Sequence, residues 1–159
     1  MQGDILLEQT LVILKPDAVQ RRLLGRIIQR FEDKGLRIAA VKFMRISKDL
    51  AERHYAVHKG KPFYPSLIEY ITSGPVLVMV LAGPKAIDVT RRMMGATFGY
   101  DAEPGTVRGD FGISRTLNLV HGSDGPDSAG KEIALFFSKD EIIDFSMCDE
   151  PWAIQTQNV

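Results

Sequence analysis

Residues 76–81, Val-Leu-Val-Met-Val-Leu, are the most apolar run in the chain, with Gly74-Pro75 before them and Gly83-Pro84 close behind. The run is far shorter than the roughly 20 residues that span a bilayer. Its branched residues between turn signals predict a central strand. Residues 10–14, Thr-Leu-Val-Ile-Leu, read as a second buried strand that stops at Lys15-Pro16-Asp17, because proline cannot donate to a ladder. Residues 36–46 predict a third.

Helical spacing fills the intervals. Leu23, Leu24, Ile27, Ile28 and Phe31 lie on one face, with Gly35 where a C-cap belongs. Arg21, Arg22, Arg26 and Arg30 read as its solvated face. Ser47 suits the N-cap of a short helix through Tyr55. Residues 58–65 form a loop by their glycine and prolines, and Leu67, Ile68 and Ile71 predict another short helix ending near Gly74. Gly83-Pro84 predicts the start of a helix through Ile87, Arg91 and Met94. Residues 95–112 show neither period and predict a long irregular loop, a feature that is usually functional. It carries Thr97, Thr106, Arg108 and Asp110. Residues 116–120 predict a last strand running into His121. Asp127 or Ser128 is the expected cap of the next helix, and residues 138–145 predict one more. Pro151-Trp152 is expected to pack, with flexible ends at 1–8 and 153–159.

Strands alternating with helices ordinarily suggest a parallel, doubly wound sheet. Yet no glycine-rich phosphate turn follows the first strand, and no Walker loop occurs anywhere. Phosphates, if bound, would be held by side chains. The pattern alone does not choose between parallel and antiparallel strands.

Lysine plus arginine balance aspartate plus glutamate at 20 each, so net charge does not mark nucleic acid as a main partner. A single cysteine, Cys148, excludes an intrachain disulfide and a cysteine-based zinc site, suits a reducing compartment and reads as a small buried apolar residue. The first residues carry Asp4 and Glu8 and no basic cluster, so no secretory leader is expected. No membrane association and a cytoplasmic location are the expectations, for one domain of 159 residues.

The chemistry concentrates at Asn118-Leu119-Val120-His121-Gly122-Ser123-Asp124, with Glu132 on the following helix. An imidazole with an unperturbed pKa of roughly 6.5 in a small, polar turn is a plausible nucleophile or proton carrier. A carboxylate on one ring nitrogen would fix the tautomer and free the other. Composition alone favours an idle, exposed histidine and an ordinary helix carboxylate. One puzzle arises at this stage: Asn118 and His121 are three apart, so in a regular strand they face opposite sides.

Asn118-x-x-His121-Gly122-Ser123-Asp124 resembles the signature of the nucleoside diphosphate kinases. Leu14-Lys15-Pro16-Asp17-Ala18-Val19, His54-Tyr55, Lys61-Pro62-Phe63-Tyr64, Ser73-Gly74-Pro75, Met94-Gly95-x-Thr97 and the segment from Pro104 to Phe111 resemble that family's other motifs, in order. The resemblance runs from about Glu8 to Trp152. It implies an α+β fold: a ferredoxin-like βαββαβ antiparallel sheet, with extra helices between the second and third strands.

The family moves the terminal phosphate of a nucleoside triphosphate to a nucleoside diphosphate through a phosphohistidine. The resemblance assigns that role to His121, with Glu132 holding its ring and Tyr55 and Ser123 supporting histidine and phosphate. Lys15, Arg91, Arg108 and Thr97 would neutralise and position phosphates. Arg92 is a rival to Arg91, which fits the family's spacing to Gly95. Asn118 and Lys15 would bind ribose hydroxyls, Phe63 would stack on the base, and Leu67 would add an apolar contact. Mg2+ would arrive on the phosphates, with Asp124 touching it through water. His54 and His58 read as structural or exposed, without a metal-ligand partner. The partners implied are ATP and other nucleoside tri- and diphosphates, and the family assembles as tetramers or hexamers built from dimers. Gly99 stands where many members have a proline in a loop that packs subunits, so the resemblance is weakest for assembly. A non-catalytic regulatory relative would show loss of the histidine or of a phosphate cation, and all of these are retained. A nucleic-acid-binding ferredoxin-like module would need a basic face with exposed aromatics.

Overall fold

The structure, a computed structural model, describes residues 7–154. Its elements in order are β1 (Glu8–Leu14), α1 (Pro16–Gln20), α2 (Leu24–Asp33), β2 (Arg37–Arg45), α3 (Lys48–His54), α4 (Tyr64–Thr72), β3 (Pro75–Gly83), α5 (Ala86–Met94), α6 (Val107–Phe111), β4 (Val120–Gly122), α7 (Pro126–Phe136) and α8 (Glu150–Ala153). The sheet order is β2-β3-β1-β4, and every neighbouring pair is antiparallel. This is the ferredoxin-like arrangement, with α3 and α4 as the insertion between β2 and β3.

Both faces of the sheet are covered. Leu11 and Ile13 of β1, with Val76, Val78 and Val80 of β3, pack in one buried cluster with residues of α3, α4 and α7. Val12 and Leu14, with Met79 and Leu81, pack on the opposite side with α2 and α5. A strand buried on both faces has no reason to alternate apolar with polar residues. That is why β1 and β3 read as continuous apolar runs and why their direction was hidden.

Local chemistry explains the helix ends. After α2, the Gly35 N–H donates to Glu32 C=O (2.8 Å) and Leu36 N–H to Phe31 C=O (3.0 Å). This double closure needs a left-handed residue, and Gly35 supplies it at φ 90°. Ser47 caps α3 by accepting from the Leu50 N–H, which contributes about 1 kcal/mol.

Several expected boundaries move. Lys15-Pro16-Asp17 opens a helix, α1, with Pro16 in the first turn where its missing N–H costs nothing. Pro84 lies ahead of α5 rather than inside it, because β3 runs on to Gly83 and Lys85 caps the helix at φ 50°. The helix carrying Glu132 starts at Pro126, and Ser128 serves its third position by accepting from the Gly125 N–H (3.0 Å). Residues 95–112 contain α6 and a 3-10 turn, Gly99–Asp101, but no strand. Residues 138–145 hold only one 3-10 turn. Their backbone serves a different purpose: Ile143 N–H donates to Ala39 C=O (2.9 Å), at the irregularity between β2 and β3.

Two packing expectations fail. Trp152 is 93% exposed, and Ala153 rather than Trp152 is the α8 residue that faces Gly35. Cys148 is exposed instead of buried. The arginines of the second segment are not an idle surface. Arg26 and Arg30 cover the Phe111 ring, Arg30 pairs with Asp110, and Arg21 donates to Phe111 C=O (2.6 Å). Glu8 belongs to β1 and Ala153 to α8, while residues 1–6 and 155–159 of the expected flexible ends lie outside the described residues.

Candidate active site

The predicted strand at 116–120 does not form, and its absence resolves the puzzle of facing. Leu119, fully buried, has φ 69°, and Val120 N–H donates to Asn118 C=O (2.8 Å) across it. This three-residue turn is a strained conformation for a branched side chain, worth about 1–3 kcal/mol. It puts Asn118 and His121 on one side and starts β4 only at Val120. The turn is held from outside: Lys15 N–H donates to Leu119 C=O (2.8 Å), and Leu119 N–H to the Asp17 carboxylate (3.1 Å). Asp17 in turn accepts from the Tyr70 hydroxyl.

His121 sits opposite Ile13 in the β1/β4 ladder, so its ring lies on the side of α3 and α7. Its Nε2 is 3.0 Å from Glu132 Oε2. Ser123 is fully buried and donates from Oγ to the same carboxylate oxygen (2.5 Å). Ser123 is itself locked to β1, where its N–H donates to Leu11 C=O and its hydroxyl accepts from Leu11 N–H. Burial pushes the Glu132 carboxyl up, but the hydrogen bond and charge of His121 and the bond from Ser123 outweigh it and hold Glu132 below the usual range. An ionised Glu132 takes a proton from neither neighbour and accepts from both. The neutral imidazole then carries its proton on Nε2 and leaves Nδ1 with a free lone pair.

The cations gather beside this ring. Lys15 is buried, and its ammonium donates to Asn118 Oδ1 (2.7 Å). Burial first, then the charge of Arg108, lower its pKa to about 7, against the opposing pull of Asp17. Asn118 is fixed at its other end by donating from Nδ2 to Thr97 C=O (3.1 Å). Arg108, placed by the Thr106 cap of α6, donates to the carbonyls of Asn118 (3.1 Å), Gly95 (2.9 Å) and Val120 (2.7 Å). Burial, then Arg91, lowers Arg108 to about 10. Its guanidinium therefore joins the 95–97 segment to β4 as well as adding charge. Arg91 donates to Gly122 C=O (3.2 Å), whereas Arg92 reaches toward Asp88 on the surface (3.9 Å). Geometry thus selects Arg91 as the arginine beside His121.

The remaining expected residues spread outward. Phe63 is 48% exposed just ahead of α4, with the Lys61 ammonium 5.8 Å from its ring centre. Leu67 lies one turn on, half-buried, its N–H donating to Phe63 C=O (3.0 Å). Thr97 is exposed and contributes its carbonyl rather than its hydroxyl to the framework. Tyr55 is buried, its ring centre 6.3 Å from that of His121 and its hydroxyl without a partner among the described residues. Asp124 is exposed and accepts from Ser128 Oγ (2.5 Å), a bond that holds its carboxyl below the usual range.

A histidine paired with a carboxylate, with Lys15, Arg91 and Arg108 bonded to the residues on either side of it, suits an anionic substrate. The model of the nucleoside diphosphate kinase family matches residues 8–142. The chain belongs to the nucleoside diphosphate kinase family. A nucleoside diphosphate kinase of Thermoplasma acidophilum is 55% identical over 143 residues, spanning 90% of this chain and 97% of that one. Its counterpart in Microcystis aeruginosa is 51% identical over 149 residues, spanning 94% and 100%. Among solved structures, a halophilic nucleoside diphosphate kinase of Halobacterium salinarum in complex with CDP superposes with a TM-score of 0.92 at 48% identity, over 94% of this chain and 99% of that one.

The candidate site also draws on residues whose sequence pattern gives them no role there. Asp17 and Tyr70 brace the Leu119 turn, although nothing in their spacing marks them as partners. His54 is buried against the site, its ring centre 4.7 Å from that of His121 at an interplanar angle of 81°. Burial above all, then His121, pushes its pKa down to about 3, so it is neutral in the physiological range. His54 was expected to lack a metal-ligand partner. Instead one donor atom each from His54, His121 and Glu132 lie within 4.8 Å of one another, the group of that kind among the described residues. Three separate elements supply them, so their spacing in sequence gave no sign.

Proposed function

We propose that the phosphotransfer between nucleotides characteristic of this family runs in this chain through a phosphohistidine at His121, by a ping-pong route. The observation that carries the reading is the 3.0 Å contact of His121 Nε2 with Glu132, because it dictates which nitrogen is nucleophilic. Nδ1 attacks the terminal phosphorus of a nucleoside triphosphate. The N–P bond forms as the bridging P–O bond breaks, and the nucleoside diphosphate leaves with that electron pair. An acceptor diphosphate oxygen then attacks the phosphohistidine, and the N–P electrons return to Nδ1. Glu132 stabilises the positive ring in between, and Ser123 keeps the carboxylate in place.

Phosphoryl transfer asks mainly for position and charge. Lys15, Arg91 and Arg108 supply the charge, with Thr97 at the mouth of the same segment. Lys15 and Asn118 meet the ribose hydroxyls. Phe63 stacks on the base with Leu67 beside it, which tolerates any base because each has a π face. Tyr55 walls the ring of His121, its hydroxyl free for a phosphate oxygen. The CDP in the Halobacterium salinarum complex supports a nucleotide ligand.

Mg2+ is read as part of the substrate. It prefers oxygen ligands and keeps its waters, whereas the one metal-type cluster among the described residues is rich in imidazole. The exposed Asp124 would meet it through water, and the ion would offset charge on the phosphates. The whole chain acts as one kinase-like domain. A cytoplasmic location suits this substrate, and no helix among the described residues is long and apolar enough to cross a membrane. Assembly from dimers is supported by the outer edge of β2, which no other strand among the described residues covers and where Val41 and Phe43 are exposed.

The experiment is incubation with γ-labelled ATP and Mg2+ without acceptor. An acid-labile, base-stable label on the wild type, absent from His121→Ala and discharged by GDP or CDP, is the expected result. A folded protein that binds ATP and takes up no label would overturn the reading.

A further inference from the structure

We propose that His54, His121 and Glu132 form a binding site for a transition-metal ion of the zinc class, and that filling it stops phosphorylation of His121. The effect on turnover rests on the reading of His121 as nucleophile; the metal site itself does not.

The first support is geometry. One nitrogen from each imidazole and one carboxylate oxygen lie within 4.8 Å of one another. Ligand atoms around a tetrahedral zinc stand about 3.3 Å apart, since Zn–N and Zn–O bonds are about 2.0–2.2 Å. His121 Nε2 and Glu132 Oε2 are already close to that at 3.0 Å. Closing the site therefore asks His54 to approach by about 1–2 Å at most.

The second support is independent. His54 is 9% exposed, yet among the described residues neither ring nitrogen has a hydrogen-bond partner. A buried imidazole with both polar atoms unmet is costly and calls for an explanation. The ring is held between Tyr55 (4.4 Å between centres) and Phe136 (5.4 Å), while facing His121. A metal on one nitrogen answers the unmet polarity.

The donor set names the ion class. Two imidazoles and one carboxylate suit Zn2+, Cu2+ or Ni2+, while Mg2+ selects oxygen. His121 is partly exposed, which leaves a fourth position of such a site open to solvent. The chemical consequence follows from the tautomer. In the kinase reading, Nε2 carries the ring proton and donates it to Glu132, so Nδ1 is bare. A metal takes the Nε2 lone pair, and the proton of the neutral ring must then sit on Nδ1. The nitrogen needed for attack loses its lone pair, and Glu132 is drawn off to the ion.

The test titrates Zn2+ into metal-free, nucleotide-free protein against a chromophoric chelator. One ion per chain is expected. His54→Phe, which keeps a ring packed on Tyr55 and Phe136 but offers no ligand, should weaken binding by about an order of magnitude or more, as should Glu132→Gln. Zinc-loaded wild type should take up label from Mg-ATP about tenfold more slowly or worse, with chelator restoring it. Zinc affinity unchanged in both variants, meaning an ion bound elsewhere or water at His54, overturns the proposal, as does no binding by wild type. Labelling at an unchanged rate with zinc bound also overturns it. Should metal-free wild type fail to label while zinc still needs His54 and Glu132, the nucleophile reading falls and the metal site stands.

Discussion

Lys15 and Asn118, 103 residues apart in the chain, meet in a buried hydrogen bond of 2.7 Å. The bond ties the end of the first strand to the turn that leads into the last. Burial above all, then Arg108, depresses the pKa of Lys15, and the amide partner brings no negative charge to offset them.

Lys15 is thus expected to govern nucleotide affinity near neutrality. As pH rises through about 7 the free enzyme loses this charge, so the KM for nucleotide should climb on the alkaline side. Folding has the opposite sign. Between about 7 and the ordinary 10.5, the unfolded chain binds the proton more tightly, so the contribution of this group to stability rises with pH across that window. Asn118→Asp should raise the Lys15 pKa and move the affinity limb to higher pH. A pH profile of kcat/KM on both proteins checks it, and an unshifted limb would rule Lys15 out as its source.

Ser123→Ala should lower kcat and leave KM nearly unchanged. It removes a 2.5 Å bond to the Glu132 carboxylate, and bonds to charged groups are worth about 1.5–3 kcal/mol. The rate of phosphohistidine formation in a single turnover should fall by roughly ten- to hundredfold. A change in KM alone would place Ser123 on the phosphate instead.

At Leu119 the usual order of substitutions should invert. Glycine normally destabilises relative to alanine, but here the residue stands at φ 69°. Both Leu119→Ala and Leu119→Gly lose the buried side chain, and only glycine is relieved of the left-handed penalty of about 1–2 kcal/mol. Urea unfolding should find the glycine variant the more stable of the two.

Gly99 is held by a close approach rather than by a turn. A Cβ there would come within 2.5 Å of the Gly112 carbonyl carbon, and the Gly99 N–H donates to Ser114 C=O (3.1 Å). Gly99→Ala should destabilise by about 1–3 kcal/mol through overpacking, and Gly99→Pro by more, through the lost donor. Thermal melts of the two variants test the order.

Phe63→Ala should raise KM for purine and pyrimidine diphosphates alike, by the roughly 1–3 kcal/mol that base stacking contributes. A loss confined to one base would show that the ring reads identity and does not merely stack.

Helices α2, α3, α4, α5 and α7 and three of the strands were legible because their signals are local. The spacing of Leu23 to Phe31, the Gly35 stop and the Ser47 cap act within a few residues. Strand direction was not, since β1 and β3 are buried on both faces and carry no alternation. The fourth strand was misplaced because Leu119 takes a conformation that branched residues avoid, imposed by Lys15 and Asp17 from the far end of the chain. At the site, His121 and Glu132 stand out by motif, whereas Asp17, Tyr70 and His54 matter only through contacts across elements. Trp152 misled because a large aromatic is ordinarily a core residue, and here it is not.

The pairing of the first strand with the last sets a timetable for synthesis. In a chain leaving the ribosome the β3 partner of β1 is complete at Gly83, whereas the other edge of β1 has no partner to pair with until Val120–Gly122 appears. Ile13 waits for His121, and Leu11 for Ser123, across more than two thirds of the chain. Chains stalled before that point already hold Lys15 and Phe63 but lack His121, so on the proposed phosphohistidine route they would take up no phosphate. The same open edge marks the nascent chain's most exposed stage for wrong pairing with another molecule.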